Sequence, residues 1–180
     1  MINLLGVAGS GKSTQGRLLA EYLRCPWISM GELLRTNLTG SLHEEMLHGK
    51  IIDDTTTLGL LGAKLKAEGA DKHECVVDGT PRTLAQAGWM ADQASHGGIM
   101  MTGVVHLTMD QAAAKERLLK RGRPDDTEMA ITERFEEYER AVLPILAYLK
   151  QQGVGVYDVD ADGSVEEVAE RIRKALGVEK

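Results

Sequence analysis

The residues with the clearest chemistry lie near the start of the chain, within the stretch GVAGSGKSTQ. Gly6 is followed, after four intervening residues, by Gly11, Lys12 and Ser13. Glycines let the backbone turn tightly so that successive N–H groups face phosphate oxygens, and the positive N-terminus of a following helix strengthens the attraction. In this pattern the lysine reaches the β and γ phosphates, and the hydroxyl can face Mg²⁺. The stretch therefore predicts a loop that binds a nucleoside triphosphate.

A second group of polar residues follows the predicted third strand, in the stretch DGTPRTLAQ. Arg82 lies at the carboxyl end of that strand, where doubly wound sheets bind ligands, and Arg35 lies in the stretch ISMGELLR. Arginine grips phosphate with two parallel hydrogen bonds and stays charged in a closed site, so both residues suit a second phosphate. Gln86, four residues after Arg82, shares its helix face. Asp78 ends the strand and can hold water bound to Mg²⁺.

Together with a third stretch, Arg117 to Gly153, these motifs resemble the adenylate kinase family of nucleoside monophosphate kinases. The resemblance spans nearly the whole chain, including a tail, DADGSVEEV, that is similar to the family's loop beneath the ATP base. It implies a reversible, Mg²⁺-dependent reaction in which ATP and AMP give two ADP. ATP and AMP are then the partners, Mg²⁺ is the cofactor, and the activity serves adenine nucleotide homeostasis.

The resemblance assigns roles position by position. The catalytic positions are Lys12, Arg82, Arg121, Arg123 and Arg134. The ATP-binding positions are Gly9, Ser10, Gly11, Lys12, Ser13, Thr14 and Arg117. The AMP-binding positions are Ser29, Met30, Gly31, Arg35, Gly79, Arg82 and Gln86, with Gln86 reading the adenine edge, and the Mg²⁺ positions are Ser13 and Asp78, directly or through water. This agrees with the chemistry, because phosphoryl transfer depends mainly on positioning and charge neutralisation and needs no general base.

Each assignment has a plainer alternative. An arginine taken alone is usually a surface residue, Gln86 can be an ordinary polar helix residue, and Asp78 can be a turn or cap residue. Asp125 and Asp126 either set the geometry of the neighbouring arginines, as acidic pairs do in the family, or form a loop before a helix with Asp126 or Thr127 as its N-cap. The other charges of the region are expected to form solvated helix faces: Glu116, Lys120, Glu133, Glu136 and Glu137.

The segment between the two arginine-bearing helices is shorter than in the family's usual short form. Only GRPDD remains where family members carry a lid, and the cysteines of a zinc-binding lid are absent, so no zinc is expected. Water must then be excluded by closure of the AMP-side helices, by the short loop that carries Arg123, or by another subunit. We expect weaker shielding and some hydrolysis of ATP without AMP.

Three positions depart from the family pattern. Met30 stands where threonine usually lies beside the AMP base, and Thr80 replaces the phenylalanine of DGFPR. Ser13 replaces a glycine, so Ser13 and Thr14 are both candidates to face Mg²⁺. These changes leave base selectivity open. A kinase for CMP or UMP is the alternative enzyme, and a regulatory module that binds ATP without turnover is the alternative from another class.

The elements that must position these residues alternate between short apolar runs and longer amphipathic runs. Strands are predicted at residues 2–7, 26–29, 74–79, 102–108 and 153–159. The alternation predicts a parallel sheet with helices on both faces. Together with the resemblance, this leads us to expect an α/β three-layer P-loop fold with five parallel strands in order 2-3-1-4-5. We expect one domain over 1–180, with a core of 1–29, 69–120 and 127–180, a monophosphate-binding insertion at about 30–68 and a vestigial lid at about 121–126.

The bulk composition excludes several functional classes. The net charge is −6 over 180 residues, which argues against coating nucleic acid or an anionic membrane. The two cysteines, Cys25 and Cys75, have no metal-ligand spacing. No signal peptide or membrane span is recognisable. We therefore expect a cytoplasmic protein, monomeric, that acts on small molecules.

Overall fold

In the computed structural model, which describes residues 1–179, five parallel strands form one sheet in the order β2-β3-β1-β4-β5. This confirms the predicted strand order. The strands are β1 (Ile2–Gly6), β2 (Trp27–Ser29), β3 (Val76–Asp78), β4 (Gly103–Thr108) and β5 (Val156–Asp160).

Helices cover both faces of the sheet over residues 1–179. They are α1 (Lys12–Leu23), α2 (Met30–Asn37), α3 (Gly40–Leu47), α4 (Asp54–Ala67), α5 (Leu84–Ser95), α6 (Gln111–Arg121), α7 (Glu128–Gln151) and α8 (Val165–Leu176). The helices α2, α3 and α4 stand between β2 and β3, in the segment for which the sequence predicts an insertion. No helix within residues 1–179 has the length and apolarity needed to cross a membrane.

The central strands are apolar on both sides because helices bury both of their faces. Leu4 of β1 packs with α1 and α8, whereas the next residue, Leu5, packs with α5 and α7. The alternation of side chains along a strand produces this division. The parallel register places Leu4 beside Asp78 of β3, and Asp78 beside Ser29 of β2. The carboxyl ends of β1, β2 and β3 therefore meet at one edge.

Side-chain caps define where several helices begin. Ser164 and Glu167 form a capping box at the start of α8, and Asp110 accepts hydrogen bonds from the N–H groups of Ala112 and Ala113 in α6. At the start of α7 the cap is Thr127, whose hydroxyl accepts from the N–H of Ala130. Since Thr127 caps the helix, the neighbouring carboxylates are free for other partners.

Candidate active site

A cleft of about 540 Å³ opens at the carboxyl edge of the sheet. Every residue to which the sequence assigned a site role lines this cleft, from the phosphate loop to the arginines of α6 and α7. Their roles remain predictions, but the fold brings them together from five separate segments. The cleft is also lined by residues without an assigned role, among them Leu34, Met46, Ile51, Ile52 and Thr57.

The phosphate loop depends on glycines at two positions. Gly9 and Gly11 have φ angles of +89° and +91°, a conformation that other residues rarely adopt. A Cβ atom on Gly9 would lie 2.5 Å from the carbonyl oxygen of Ala114. Gly11 is the N-cap of α1 and provides no side-chain cap, so the first N–H groups of the helix are available to an anion.

Lys12 lies deep in the cleft, in a cationic environment. Its Nζ donates hydrogen bonds to the carbonyl oxygens of Gly6 at 2.7 Å and Val7 at 2.8 Å. Burial, with help from the charge of Arg82, lowers the pKa of Lys12 from 10.5 to about 7, although Asp78 acts in the opposite direction. A phosphate anion bound beside Nζ would stabilise the charged form of Lys12.

Asp126 organises the arginines around the short loop. Its carboxylate, which is 0% exposed, accepts from Arg121 Nε at 2.8 Å and Nη2 at 2.6 Å, and from Arg134 Nη1 at 3.4 Å. The backbone N–H of Arg123 donates to the same group at 3.1 Å. Burial alone would raise the pKa of Asp126, but the hydrogen bonds and charge of Arg121 outweigh burial and hold the pKa low. The sequence left two interpretations of Asp126, contact with the arginines or the N-cap of the next helix. The structure shows the contact with the arginines, and the N-cap is Thr127.

Asp125 connects the loop to the insertion. Its Oδ2 lies 2.9 Å from Arg134 Nη2 and 3.8 Å from Arg35 Nη1. Arg35 belongs to α2, so this carboxylate joins an arginine of the predicted AMP side to one of α7. The cations on the two sides of the cleft are therefore held by one acidic pair, and phosphates entering between them meet arginines already in position.

Arg82 faces the cleft at the carboxyl end of β3. Its Nε donates to the carbonyl oxygen of Gly79 at 3.2 Å. The surroundings deep in the cleft lower the pKa of Arg82, first through burial and then through the charge of Arg134, while Glu137 raises it. Much of the arginine side chain is nevertheless reachable from the open cleft, which leaves the guanidinium accessible to a ligand.

The position of Glu137 differs from the one expected from the sequence. It was expected on a solvated helix face, but it is half-buried and accepts a hydrogen bond from the backbone N–H of Ile51. Burial raises its pKa, and the bond to Ile51 and the charge of Arg82 oppose the rise. The glutamate is therefore the counter-charge of Arg82 and a contact between α7 and the α3–α4 loop. The charge run contained no signal for this role, because the partner is distant in sequence.

Asp78 is 3% exposed and accepts three hydrogen bonds. Its Oδ1 lies 3.1 Å from Ser13 Oγ and 3.2 Å from Ser29 Oγ, and its Oδ2 lies 2.7 Å from Trp27 Nε1. Burial raises the pKa of Asp78, and the hydrogen bond from Trp27 is the largest opposing influence. Ser13 rather than Thr14 contacts this carboxylate.

The pair Ser13 and Asp78 fits a magnesium ion bound with a nucleotide. Residues 1–179 contain no group of three or more His, Cys, Asp or Glu side chains arranged to hold a metal ion. Magnesium, however, is usually held by one or two protein groups together with phosphate oxygens and water. A hydroxyl and a carboxylate beside the phosphate loop meet that requirement.

The stretch DADGSVEEV, residues 160–168, contributes to the wall of the cleft next to the phosphate loop. Arg117 Nη1 donates to the carbonyl oxygen of Ala161 at 3.4 Å, and Gln15 Nε2 donates to the carbonyl oxygen of Val165 at 2.9 Å. Both carbonyls lie in or next to the stretch DADGSVEEV. The predicted base-side arginine and the predicted base-side loop are thus in contact.

The α3–α4 loop closes against α7. Gly49 is buried with φ +88°, and a Cβ atom there would lie 2.6 Å from the carbonyl oxygen of Ala130. Ile51 reaches Glu137 two turns further along the same helix. The insertion therefore touches α7 directly.

Replacing Gly49 with alanine should open this contact. The added methyl group cannot fit against Ala130, so we expect the kcat of phosphoryl transfer to fall about tenfold and the hydrolysis of ATP without AMP to rise. Gly40→Ala is the matched control, because Gly40 also has positive φ but nothing lies within 4 Å of its Cβ position. Equal ATP hydrolysis in the two variants would contradict the idea that the contact of Gly49 with Ala130 keeps water out of the cleft.

Comparison with known proteins places the chain in a family. A family model for adenylate kinase matches residues 4–154. A protein named adenylate kinase from Corynebacterium urealyticum is 32% identical over 179 residues, covering 96% of this chain and 97% of that protein. Those from Corynebacterium glutamicum and Xanthomonas oryzae pv. oryzae are 34% and 35% identical, each alignment covering 97% of both chains. The chain therefore belongs to the adenylate kinase family and is a phosphotransferase of the nucleoside monophosphate kinase type.

Proposed function

We propose that this protein transfers the γ-phosphoryl group of Mg·ATP to AMP, reversibly, to give two ADP. The observation that carries the proposal is the arrangement of cations in one cleft. Lys12 stands at the phosphate loop, Arg35 and Arg82 stand toward the insertion, and the arginines of the short loop lie between them. Two anion sites that share one set of central cations suit transfer of a phosphoryl group from one nucleotide to another.

The triphosphate occupies the end formed by α1 and the tail. The free N–H groups after Gly11 and the ammonium of Lys12 hold its phosphates, and Arg117 with the loop before α8 lies against its base. Ser13 and Asp78 hold Mg²⁺, which neutralises charge on the phosphates when bound. Thr14, which is exposed, is the less suitable of the two hydroxyls for this role.

The monophosphate occupies the end formed by the insertion at about 30–68. Arg35 and Arg82 grip its phosphate, since guanidinium groups bind phosphate oxygens in pairs. The base lies among apolar side chains that face the cleft, with Met30 and Met46 buried on its walls and Gln86 at its edge. Residues 121–126 act as a shortened lid.

The transfer itself needs positioning and charge rather than a proton acceptor. Lys12, Arg121, Arg123 and Arg134 surround the place where the phosphoryl group moves, and Arg82 approaches it from the monophosphate side. They neutralise the negative charge on the three peripheral oxygens during an in-line displacement. No covalent intermediate on the protein is required.

The test is to incubate the protein with Mg·ATP and AMP, CMP, UMP, GMP or dTMP and to measure diphosphates by chromatography. We expect rapid formation of ADP with AMP, and loss of the reaction when Mg²⁺ is chelated. Faster turnover of CMP or UMP would identify a kinase for another monophosphate. Binding of ATP without turnover of any acceptor would favour a regulatory module.

A further inference from the structure

Lys12 and Asp78 carry opposite charges deep in the cleft, yet they do not pair. Burial lowers the pKa of Lys12 and raises that of Asp78, and the attraction between the two charges opposes both shifts. The ammonium nevertheless donates to the carbonyl oxygens of Gly6 and Val7. Within residues 1–179 no ion pair joins the two side chains. A contact elsewhere must therefore hold the carboxylate away from the lysine.

Trp27 holds one oxygen of the Asp78 carboxylate, and two serines hold the other. Nε1 of Trp27 donates to Oδ2 at 2.7 Å, whereas the hydroxyls of Ser13 and Ser29 donate to Oδ1 at 3.1 and 3.2 Å. A hydroxyl can turn to another acceptor, but an indole N–H only donates, and the ring fixes its direction. Trp27 therefore determines where Oδ2 points.

The fold determines the position of the indole. Trp27 belongs to β2, which pairs with β3, and its ring packs against the core between α1 and the sheet. The guanidinium of Arg17 lies 6.0 Å from the centroid of the ring. The side chain is only partly exposed, so it cannot rotate away from Asp78 without losing these contacts.

Gly16 provides the space for this hydrogen bond. It lies inside α1, where glycine is a poor helix former. A Cβ atom on Gly16 would lie 2.9 Å from Nε1 of Trp27 and 3.6 Å from Oδ2 of Asp78. These are the two atoms that the hydrogen bond joins. A larger residue in place of Gly16 would therefore push the indole away from the carboxylate.

We propose that Trp27 is a positioning residue that keeps Asp78 turned away from Lys12. The carboxylate then remains available for Mg²⁺, and the ammonium remains available for the phosphates of ATP. Without the indole N–H, Oδ2 lacks a donor in a buried place, and Lys12, whose charge already attracts the carboxylate, can supply one. An ion pair between them would withdraw both from the nucleotide. The inference rests on the proposed function, in which both groups face the triphosphate.

The test uses two substitutions that remove different properties of the tryptophan. Trp27→Phe keeps an aromatic ring but has no donor, whereas Trp27→Gln keeps an N–H donor but loses most of the packing of the ring. ATP binding is measured by calorimetry in EDTA, so the readout does not depend on a metal. We expect about tenfold weaker binding to Trp27→Phe, as if Lys12 were free in about one molecule in ten. Trp27→Gln should bind ATP nearly as the wild type does.

Asp78→Asn identifies the group that captures Lys12. An asparagine amide carries no charge, so loss of the indole N–H can no longer create an ion pair. Trp27→Phe should therefore weaken ATP binding when Asp78 is present, but change it by less than about twofold in the Asp78→Asn protein. A merely structural loss would be the same in both backgrounds.

Gly16→Ala disturbs the same hydrogen bond and leaves Trp27 and Asp78 in the chain. Alanine is the better helix former, so the substitution favours α1 while its methyl group displaces the indole. It should weaken ATP binding as Trp27→Phe does, and Asp78→Asn should again suppress the effect. Gly59→Ala is the matched control, because Gly59 also lies inside a helix, and nothing lies within 4 Å of its Cβ position. It should leave ATP binding unchanged.

Phosphoryl transfer gives a second measurement. The Mg²⁺ concentration needed for half the maximal rate should rise about tenfold in Trp27→Phe and stay near the wild-type value in Trp27→Gln. Wild-type ATP affinity in Trp27→Phe, or an equal loss of affinity with and without Asp78→Asn, would overturn the inference. Should Trp27→Phe fail to fold, Gly16→Ala carries the same comparison. The expected pattern of ATP binding, without transfer to any acceptor, would uphold the role of Trp27 and overturn the proposed function instead.

Discussion

Lys12→Met should lower kcat by about 10³-fold, while the melting temperature of the nucleotide-free protein does not fall. The ammonium stands where negative charge is greatest during transfer, so its loss removes stabilisation that methionine cannot replace. In the free protein the same charge is unfavourable, because burial and the neighbouring Arg82 lower its pKa to about 7. Methionine fills the same space without that cost, which offsets the loss of the two hydrogen bonds that Nζ donates to the carbonyl oxygens of Gly6 and Val7.

The rate is measured as ADP formation, and the melting temperature by calorimetry without nucleotide. Lys120→Met is the matched control, since Lys120 is exposed and pairs with Glu116 one turn away on α6; it should retain the wild-type rate. A marked drop in the melting temperature of Lys12→Met would show that the lysine supports the fold. A rate within tenfold of wild type would remove Lys12 from the proposed transfer site.

Much of the fold could be predicted because its signals are local. The apolar runs alternate with helices, and the glycine-rich loop stands between a strand and a helix. The predicted ends of the strands were less accurate where a glycine takes a positive φ. Gly79 and Gly153, with φ +84° and +79°, were expected in strands three and five, but that conformation is incompatible with a strand. The third strand therefore stops at Asp78, and the fifth begins at Val156.

The site was predictable where a motif names the residue and unpredictable where a distant contact determines its role. The phosphate loop and arginines line the cleft as expected. The contact of Glu137 with Ile51, and that of Asp54 with Gln86, join residues far apart in sequence. Thr80 was visible only as a departure from the family pattern. In the structure its hydroxyl donates to Oε1 of Gln86, the residue that we propose lies at the edge of the base.

Arg82→Ala should lower kcat/KM for AMP by about 10³-fold and leave the binding of ATP nearly unchanged. The guanidinium reaches the cleft from the carboxyl end of β3, between the two proposed phosphate positions. Removing it leaves the acceptor phosphate without a bidentate partner and the half-buried Glu137 without its counter-charge. Arg82→Lys should recover only part of the rate, because an ammonium keeps the charge but loses the paired hydrogen bonds.

The backbone N–H of Arg82, not its side chain, donates to Gln86, so both variants should keep the wild-type order of rates among AMP, CMP and UMP. In this proposal the side chain of Arg82 binds phosphate, whereas its backbone N–H positions Gln86 near the base. Steady-state rates with these three nucleotides, together with calorimetric ATP binding, measure the two effects. Arg173→Ala is the control, since that guanidinium packs over the Tyr22 ring at 5.2 Å and does not line the cleft. Loss of ATP binding in Arg82→Ala would place Arg82 at the triphosphate end, because a grip on the acceptor alone cannot affect the binding of the donor.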